Sequence, residues 1–244
     1  MGTWVAIEAR APGDTDLEAA LQSAIHAVER VDLLMHPTLA GSDLERITSA
    51  RPGMETMVDP WTFVVLRQCA RLNLQTNGLF DPCLGREPGR MPDILLREPD
   101  TVICNRPVAI DLGGIAKGFS IDRAIEALQA HGCISGLVNA GGDLRVFGIT
   151  PQSIQVRTAA QETVQVDLVN SALAASGPRN SSSPSGHLGF YLGTTGAETS
   201  GRQVVIVSPQ AMAADALCKC AMLCAPATLS ALLQQYDARL LRHR

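Results

Sequence analysis

Residues 111–124, DLGGIAKGFSIDRA, constrain the fold more than any other stretch of the chain. Three glycines, one lysine and two aspartates lie here between an apolar run and a segment with helical spacing. Glycine tolerates close approaches that a β-carbon forbids, so the pattern predicts a tight strand-to-helix turn. Two interpretations stay open. The turn is either a simple connection with a solvated lysine, or an anion site where the amides of the helix start and Lys117 meet a phosphate.

The common nucleotide fingerprints do not match this turn. The dinucleotide motif needs G-x-G-x-x-G and the phosphate loop needs G-x-x-x-x-G-K-[ST], so standard nucleotide folds are disfavoured. A net charge of -4 gives no basic surface for DNA or RNA, and we expect no nucleic-acid binding. No apolar run approaches the roughly 18 residues of a membrane helix, and the first residues lack the layout of a secretion signal, so we expect a cytoplasmic protein.

Seven cysteines favour free thiols over a disulfide framework, because their number is odd and most lie in apolar segments. Cys218, Cys220 and Cys224 lie close together in the sequence. On a helix, Cys220 and Cys224 share a face while Cys218 is turned about 200° from Cys220. We therefore interpret them as small buried helix residues rather than metal ligands.

Hydrophobic periodicity predicts an α+β chain in which strands and helices mix without strict alternation. The first helix is expected to begin behind a cap at Asp14 or Thr15 and to fade at Met35, and Asp59 is expected to cap a helix at 61–74. Further helices are predicted at 116–131, at 212–224 and after 224, and strands at 3–9, 102–111, 137–138, 155–158, 164–169, 204–207 and 238–241. Residues 85–100 hold three prolines and predict an irregular segment. We find no linker and expect a single domain over 1–244.

Two long motifs resemble the ApbE family, the FAD:protein FMN transferases. One is DLGGIAKGFSIDRA, and the second is LVNAGGDLRVFG at 137–148. Shorter matches are MGT at 1–3, SDL at 42–44, GLFDP at 78–82 and ADAL at 214–217. The resemblance covers about residues 1 to 242. Because MGT falls on the first residue, we expect a short member without the leader that many periplasmic lipoprotein relatives carry.

The resemblance implies an ApbE-like, T-fold-like α+β fold, with mixed or antiparallel sheets packed with helices and an FAD cleft between lobes. It implies FAD as substrate, Mg²⁺ as cofactor, and a target flavoprotein as partner. FMN would move from FAD to a threonine or serine hydroxyl of that target by phosphoester formation, with release of AMP. The alternative is a relative that binds FAD, or serves as a scaffold, without transferring FMN.

The site residues implied by the resemblance are carried over position by position. Contacts with the flavin nucleotide are assigned to Met1, Leu79, Phe80, Asp81, Asp111, Lys117 and Leu188. Metal ligands are assigned to the main-chain carbonyls of Gly114 and Cys218 and to the carboxylate of Asp215, oxygen groups of the kind that magnesium prefers. His187 corresponds to a histidine that assists proton removal from the target hydroxyl. Asn139, Gly141, Gly142 and Asp143 either support the structure or contact the ligand.

Several positions depart from the family pattern. Lys219 stands where the family has a metal-binding threonine, and because an ammonium cannot ligate a cation, it either repels magnesium or replaces it by pairing with Asp215 and the FAD phosphates. A side chain that extends away from the site is the remaining alternative for Lys219. Thr38 replaces a flavin-stacking tyrosine, Thr48 replaces an asparagine, and the motif at His187 lacks its Asp-Pro. Trp4 and Phe80 either substitute for the missing ring or belong to the core.

Overall fold

The computed structural model describes residues 2–83, 85–157, 163–177 and 203–243. The helices are α1 (Leu17–Leu34), α2 (Asp43–Ser49), α3 (Pro60–Gln75), α4 (Ala116–Ala130), α5 (Ala211–Leu223) and α6 (Pro226–Gln235). The strands are β1 (Val5–Arg10), β2 (Glu55–Met57), β3 (Ile94–Arg97), β4 (Thr101–Cys104), β5 (Ser135–Ala140), β6 (Asp143–Phe147), β7 (Gln152–Arg157), β8 (Thr163–Leu168), β9 (Ala172–Ser176), β10 (Val204–Ser208) and β11 (Arg239–His243).

The chain groups into two compact units. The first unit consists of residues 29–116, and the second of residues 2–28 together with the chain after 116. In the first unit, the strands β2, β4 and β3 form an antiparallel sheet in that order. Helices α2 and α3 contribute buried apolar side chains to the core of this unit. The single domain expected over 1–244 stays a prediction.

The second unit is built on a six-stranded sheet in the order β1-β5-β6-β9-β10-β11. Every neighbouring pair in this sheet is antiparallel. A core cluster of buried aliphatic residues spans its middle strands and β8: Leu144, Val146, Leu168, Leu173, Val205 and Val207. Helix α5 packs against β9 and β10. Antiparallel sheets packed with helices confirm the predicted α+β class.

The second glycine motif is the turn of the β5–β6 hairpin. Ala140 pairs with Asp143, so only Gly141 and Gly142 lie between the strands, at φ +60° and +100°. A two-residue turn with positive φ at both positions matches the right-handed twist of the strands, and glycine adopts it without strain. Asn139 accepts a hydrogen bond from the Gly142 amide at 3.0 Å, and Trp4 accepts one from the Gly141 amide at 3.2 Å. In this structure the motif therefore supports the fold.

Most predicted elements are present, three predictions need correction, and helix α2 was missed. Asp16, not Asp14 or Thr15, caps α1, because its carboxylate accepts the Ala19 amide at 3.0 Å. The irregular segment 85–100 contains β3, which pairs with β4 despite the surrounding prolines. The strand expected at 102–111 ends at Cys104. Helix α2 was not predicted, although Ser42 gives the expected cap by accepting the Glu45 amide.

All seven cysteines are free, as predicted. Cys218 and Cys220 are buried in α5, and Cys224 lies half-buried at its end. Burial raises the pKa of the Cys218 thiol to about 11, and that thiol donates to the Ala174 carbonyl at 3.3 Å. A hydrogen bond with Cys220 lowers the pKa of the Cys224 thiol. Within the described ranges, no three histidine, cysteine or acidic side chains are placed to hold a metal ion.

No helix in the described part of the chain has both the length and the apolar character needed to cross a membrane.

Candidate functional site

Four charged side chains, Lys117, Asp143, Asp215 and Lys219, form a cluster in the second unit, hereafter the charged cluster. Lys117 lies in the first turn of α4 and Asp143 directly follows the hairpin turn. Asp215 and Lys219 lie one turn apart on α5, the spacing at which helical side chains meet. Lys117 forms an ion pair with Asp143, and Lys219 forms one with Asp215. The cluster therefore brings three separate sequence motifs together.

The cluster contains the only lysines of the chain. Eighteen of its 20 basic residues are arginines, and the two lysines are Lys117 and Lys219. A lysine ammonium is a compact point charge that can be partly buried, whereas a guanidinium is a broad planar fork. This usage was visible in the sequence but was not part of our prediction. Both lysines of the chain therefore lie in this one cluster.

Asp215 is completely buried, and both of its oxygens are engaged. Oδ1 contacts the Lys219 ammonium, and Oδ2 accepts the Gly118 amide of α4 at 3.1 Å. Burial alone would raise the pKa of this carboxyl, but the charges of Lys219 and Lys117 and the two hydrogen bonds outweigh it. The pKa of Asp215 therefore lies below its ordinary value, and the group is ionised at neutral pH.

Asp215 and Ser176 are among the groups that hold Lys219 in place. Its ammonium also donates to the Ser176 hydroxyl at 3.2 Å, and its side chain is 13% exposed. Of the alternatives drawn from the sequence, extension away from the site is wrong, because the ammonium contacts Asp215. Replacement of magnesium and pairing with the FAD phosphates stay predictions. Ser176, at the end of β9, is a member of the site that the sequence did not predict.

Lys117 is a partly buried side chain whose surroundings, taken together, disfavour its charged form. Burial lowers the pKa of its ammonium, Asp215 opposes that effect, and the like charge of Lys219 lowers the pKa further. Its side chain is 25% exposed, and Asp143, its ion-pair partner, also accepts the Ala175 amide at 3.0 Å. An anion arriving beside Lys117 and Lys219 would favour the charged form of both ammonium groups. The four side chains together carry no net charge, so an anion would be held by direct contact with the two ammonium groups.

The residues around Asp215 do not fit a magnesium ion. Magnesium takes oxygen ligands in near-octahedral geometry, and Asp215 is the carboxylate that the resemblance assigns to it. That carboxylate already holds an ammonium and an amide. A divalent ion 4 Å from an ammonium is repelled by about 8 kcal/mol at an effective dielectric constant of about 20. Metal binding there would require Lys219 to leave.

Helix α5 is fixed against α4 by Asp122. The Asp122 carboxylate accepts the amides of Ala211 and Met212, both at 2.9 Å, and pairs with Arg145 at 2.7 Å. It therefore caps α5 from another helix, since Gln210 at the cap position makes no side-chain cap bond. The sequence offered one signal, an α5 start without a serine, threonine, asparagine or aspartate cap. Because the cap fixes the start of α5 against α4, it also fixes the position of Asp215 along the contact between the two helices.

The nucleotide-binding residues expected in the first unit have structural partners there. Phe80 is a core residue, and its carbonyl accepts the Asn73 amide group at 2.9 Å. Asp81 accepts the Cys83 amide at 2.8 Å, and Asp111 accepts the Gly113 amide at 2.7 Å, so both carboxylates shape their own turns. Leu79 and Gly114 are half-buried. Their expected contacts with FAD or metal stay predictions.

Three expected site residues, Met1, His187 and Leu188, lie outside the described residues. Thr38, the replacement for the stacking tyrosine, is exposed. Of its two possible substitutes, Phe80 belongs to the core and Trp4 is 61% exposed. Trp4 is therefore not a core residue, and its role as an aromatic platform stays a prediction.

Comparison with known proteins shows one consistent family. The sequence model of the ApbE family matches residues 1–87 and 90–241. A relative from Treponema pallidum named FAD:protein FMN transferase is 23% identical over 181 residues, which cover 62% of this chain and 49% of the relative. A relative of the same name from Vibrio cholerae is 26% identical over 177 residues, covering 62% and 53%.

The fold is also shared with solved structures. The flavin transferase ApbE from Vibrio cholerae superposes with a TM-score of 0.80 at 22% identity, covering 98% of this chain and 89% of that one. At this identity the likeness shows the fold.

Proposed function

The chain belongs to the ApbE family, and we therefore propose that it is an FAD:protein FMN transferase. The alignments span about half the length of the two curated relatives described above. The observation that best supports the activity is the position of the two lysines: Lys219 contacts the buried Asp215 of α5, and Lys117 at the start of α4 lies within electrostatic reach of the same carboxylate. A diphosphate is an anion that such a cluster can bind.

In the proposed reaction, a threonine or serine hydroxyl of a target flavoprotein attacks the phosphorus on the FMN side of the FAD diphosphate. The new P–O bond forms as the bond to the AMP phosphate breaks, and AMP leaves with that electron pair. The hydroxyl proton passes to a base, for which we propose His187. Negative charge on the diphosphate oxygens and the leaving phosphate is compensated by the ammonium groups of Lys117 and Lys219, already positioned before the reaction.

The other roles implied by the family belong to the same proposal. Met1, Leu79, Phe80, Asp81, Asp111 and Leu188 would contact the nucleotide. The magnesium ligands implied by the resemblance, Gly114, Asp215 and Cys218, are not part of this proposal, because Asp215 holds the Lys219 ammonium. No step of the proposed reaction depends on a metal ion.

Covalent flavin transfer is the direct test of this function. We expect the purified protein, incubated with FAD and a candidate flavoprotein, to give a fluorescent target band in a denaturing gel and an equal amount of AMP. Lys117→Met should lower the rate at least about 100-fold, because it removes charge compensation at the reacting phosphates. Arg97→Met, which breaks an exposed ion pair with Glu55 on the first unit, serves as the control and should keep the wild-type rate.

FAD binding without transfer is the second candidate function. Lys219, which stands where the family has a metal-binding threonine and contacts Asp215, favours it, because transfer in the family uses a metal ion. Tight FAD binding in the absence of any covalent product or AMP would support this alternative over the transferase.

We expect Trp4 to supply the aromatic surface that Thr38 does not. Stacking on an aromatic ring stabilises a base by about 1–3 kcal/mol, so Trp4→Ala should raise the Kd for FAD about 5- to 150-fold. Flavin fluorescence polarisation measures this directly. Trp61→Phe is the control, because Trp61 packs against the Arg30 guanidinium at 4.3 Å and should not affect FAD affinity. Equal affinities for Trp4→Ala and wild type would exclude Trp4 as the platform.

A further inference from the structure

The buried carboxylate of Asp215 is a place for a cation, and the ammonium group of Lys219 from the same chain occupies it. A fully buried carboxylate needs a compensating positive charge, and here the Lys219 ammonium supplies it from one helical turn away. Ser176 holds the same ammonium from β9 at 3.2 Å. The cation is therefore part of the folded protein and fixed from two elements.

The choice of lysine at this position supports the same interpretation. The chain uses arginine for all basic positions except Lys117 and Lys219. Among basic side chains, the lysine ammonium most closely resembles a metal ion, since it is compact, positively charged and able to donate in several directions. An arginine guanidinium would bring a planar group into a space enclosed by α5 and β9.

We propose that the Lys219 ammonium is the resident cation of this site, so that the protein holds the phosphates of its flavin nucleotide without a divalent metal ion. The part that concerns the nucleotide rests on the proposed function, whereas occupation of the Asp215 position does not. Lys117, on the first turn of α4, supplies a second cation within electrostatic reach of Asp215. Two fixed ammonium groups then carry out the charge compensation that a lysine and a metal ion would share.

Metal binding to the protein without nucleotide tests the first part. Mn²⁺ is titrated into the full chain and followed by electron paramagnetic resonance. We expect wild type to show no saturable site below millimolar concentrations and Lys219→Thr to bind one Mn²⁺ at least tenfold more tightly. The double variant Lys219→Thr/Asp215→Asn should lose that site, because the carboxylate is gone. Equal Mn²⁺ affinities for wild type and Lys219→Thr, whether tight or weak, would overturn the proposal.

A second measurement uses the wild-type protein and so does not depend on whether a variant folds. In protein labelled with ¹⁵N at its lysines, only two side-chain signals are expected, since the chain has two lysines. Millimolar Mn²⁺ should leave the Lys219 signal unbroadened. Selective broadening of that signal at one equivalent of Mn²⁺ would place a metal at Asp215 and contradict the proposal.

FAD binding tests the second part. We expect the Kd for FAD to agree within about threefold in EDTA and in Mg²⁺. A Kd more than tenfold lower with Mg²⁺ would contradict metal-free binding of the phosphates. If FAD binds under neither condition, the proposed function fails, and the Mn²⁺ titrations still decide whether Lys219 is the resident cation.

Discussion

Asp122→Ala is expected to lower the free energy of unfolding by about 3–5 kcal/mol, the cost of removing one partner of a buried ion pair. The substitution leaves the Arg145 guanidinium without its carboxylate and the amides of Ala211 and Met212 without their acceptor. Each of these groups is buried or half-buried, so water replaces the lost contacts poorly. The melting temperature should fall by roughly 10 °C or more for a chain of this size.

Thermal unfolding followed by circular dichroism measures this effect, and two variants calibrate it. Asp122→Asn retains an acceptor for the α5 amides but loses the ion pair, so its loss of stability should lie between wild type and Asp122→Ala. Asp167→Ala changes an exposed aspartate on β8 and should shift the unfolding free energy by no more than about 0.5 kcal/mol. A melting temperature for Asp122→Ala within 2 °C of wild type would show that α5 does not depend on this cap.

Asp122 also shows why part of the site could not be predicted from sequence. Local patterns identified α4 and α5 as helices, because apolar spacing and glycine or proline punctuation act within a few residues. The cap of α5 comes from a residue 89 positions earlier, and nothing local marks that pairing. The same holds for Ser176 and Lys219, which lie 43 positions apart.

The sequence identified the residues of the charged cluster, but it did not show which of them form ion pairs with each other. Family motifs identified Lys117, Asp215 and Lys219, and helical spacing allowed the Asp215–Lys219 pair. The pairing of Lys117 with Asp143 depends on how the β5–β6 hairpin lies beside α4, which is a property of the tertiary fold. The approach of the α5 backbone to Gly118 was likewise not predictable, since a glycine pattern does not reveal which group makes the close approach.

Gly118→Ala is expected to destabilise the protein by about 3 kcal/mol or more, although alanine is the better helix former. In an unconstrained helix this change gains about 1 kcal/mol. Here a β-carbon on Gly118 would lie 2.2 Å from the carbonyl oxygen and 2.5 Å from the carbonyl carbon of Ala211. These are backbone atoms at the start of α5, so no side-chain rotation relieves the overlap and the two helices must separate.

The separation should also damage the charged cluster, because the amide of Gly118 is itself the 3.1 Å partner of Asp215. Gly118→Ala protein that remains folded should therefore lose FAD affinity as well as stability. Gly13→Ala is the matched control, since a β-carbon there meets no atom within 4 Å and its φ is not positive. That variant should be neutral or up to about 1 kcal/mol more stable, through the smaller entropy of its unfolded chain. If Gly118→Ala melts at the temperature of Gly13→Ala, then α4 and α5 have room to separate at no cost, and the glycine at 118 is not required by the approach of α5.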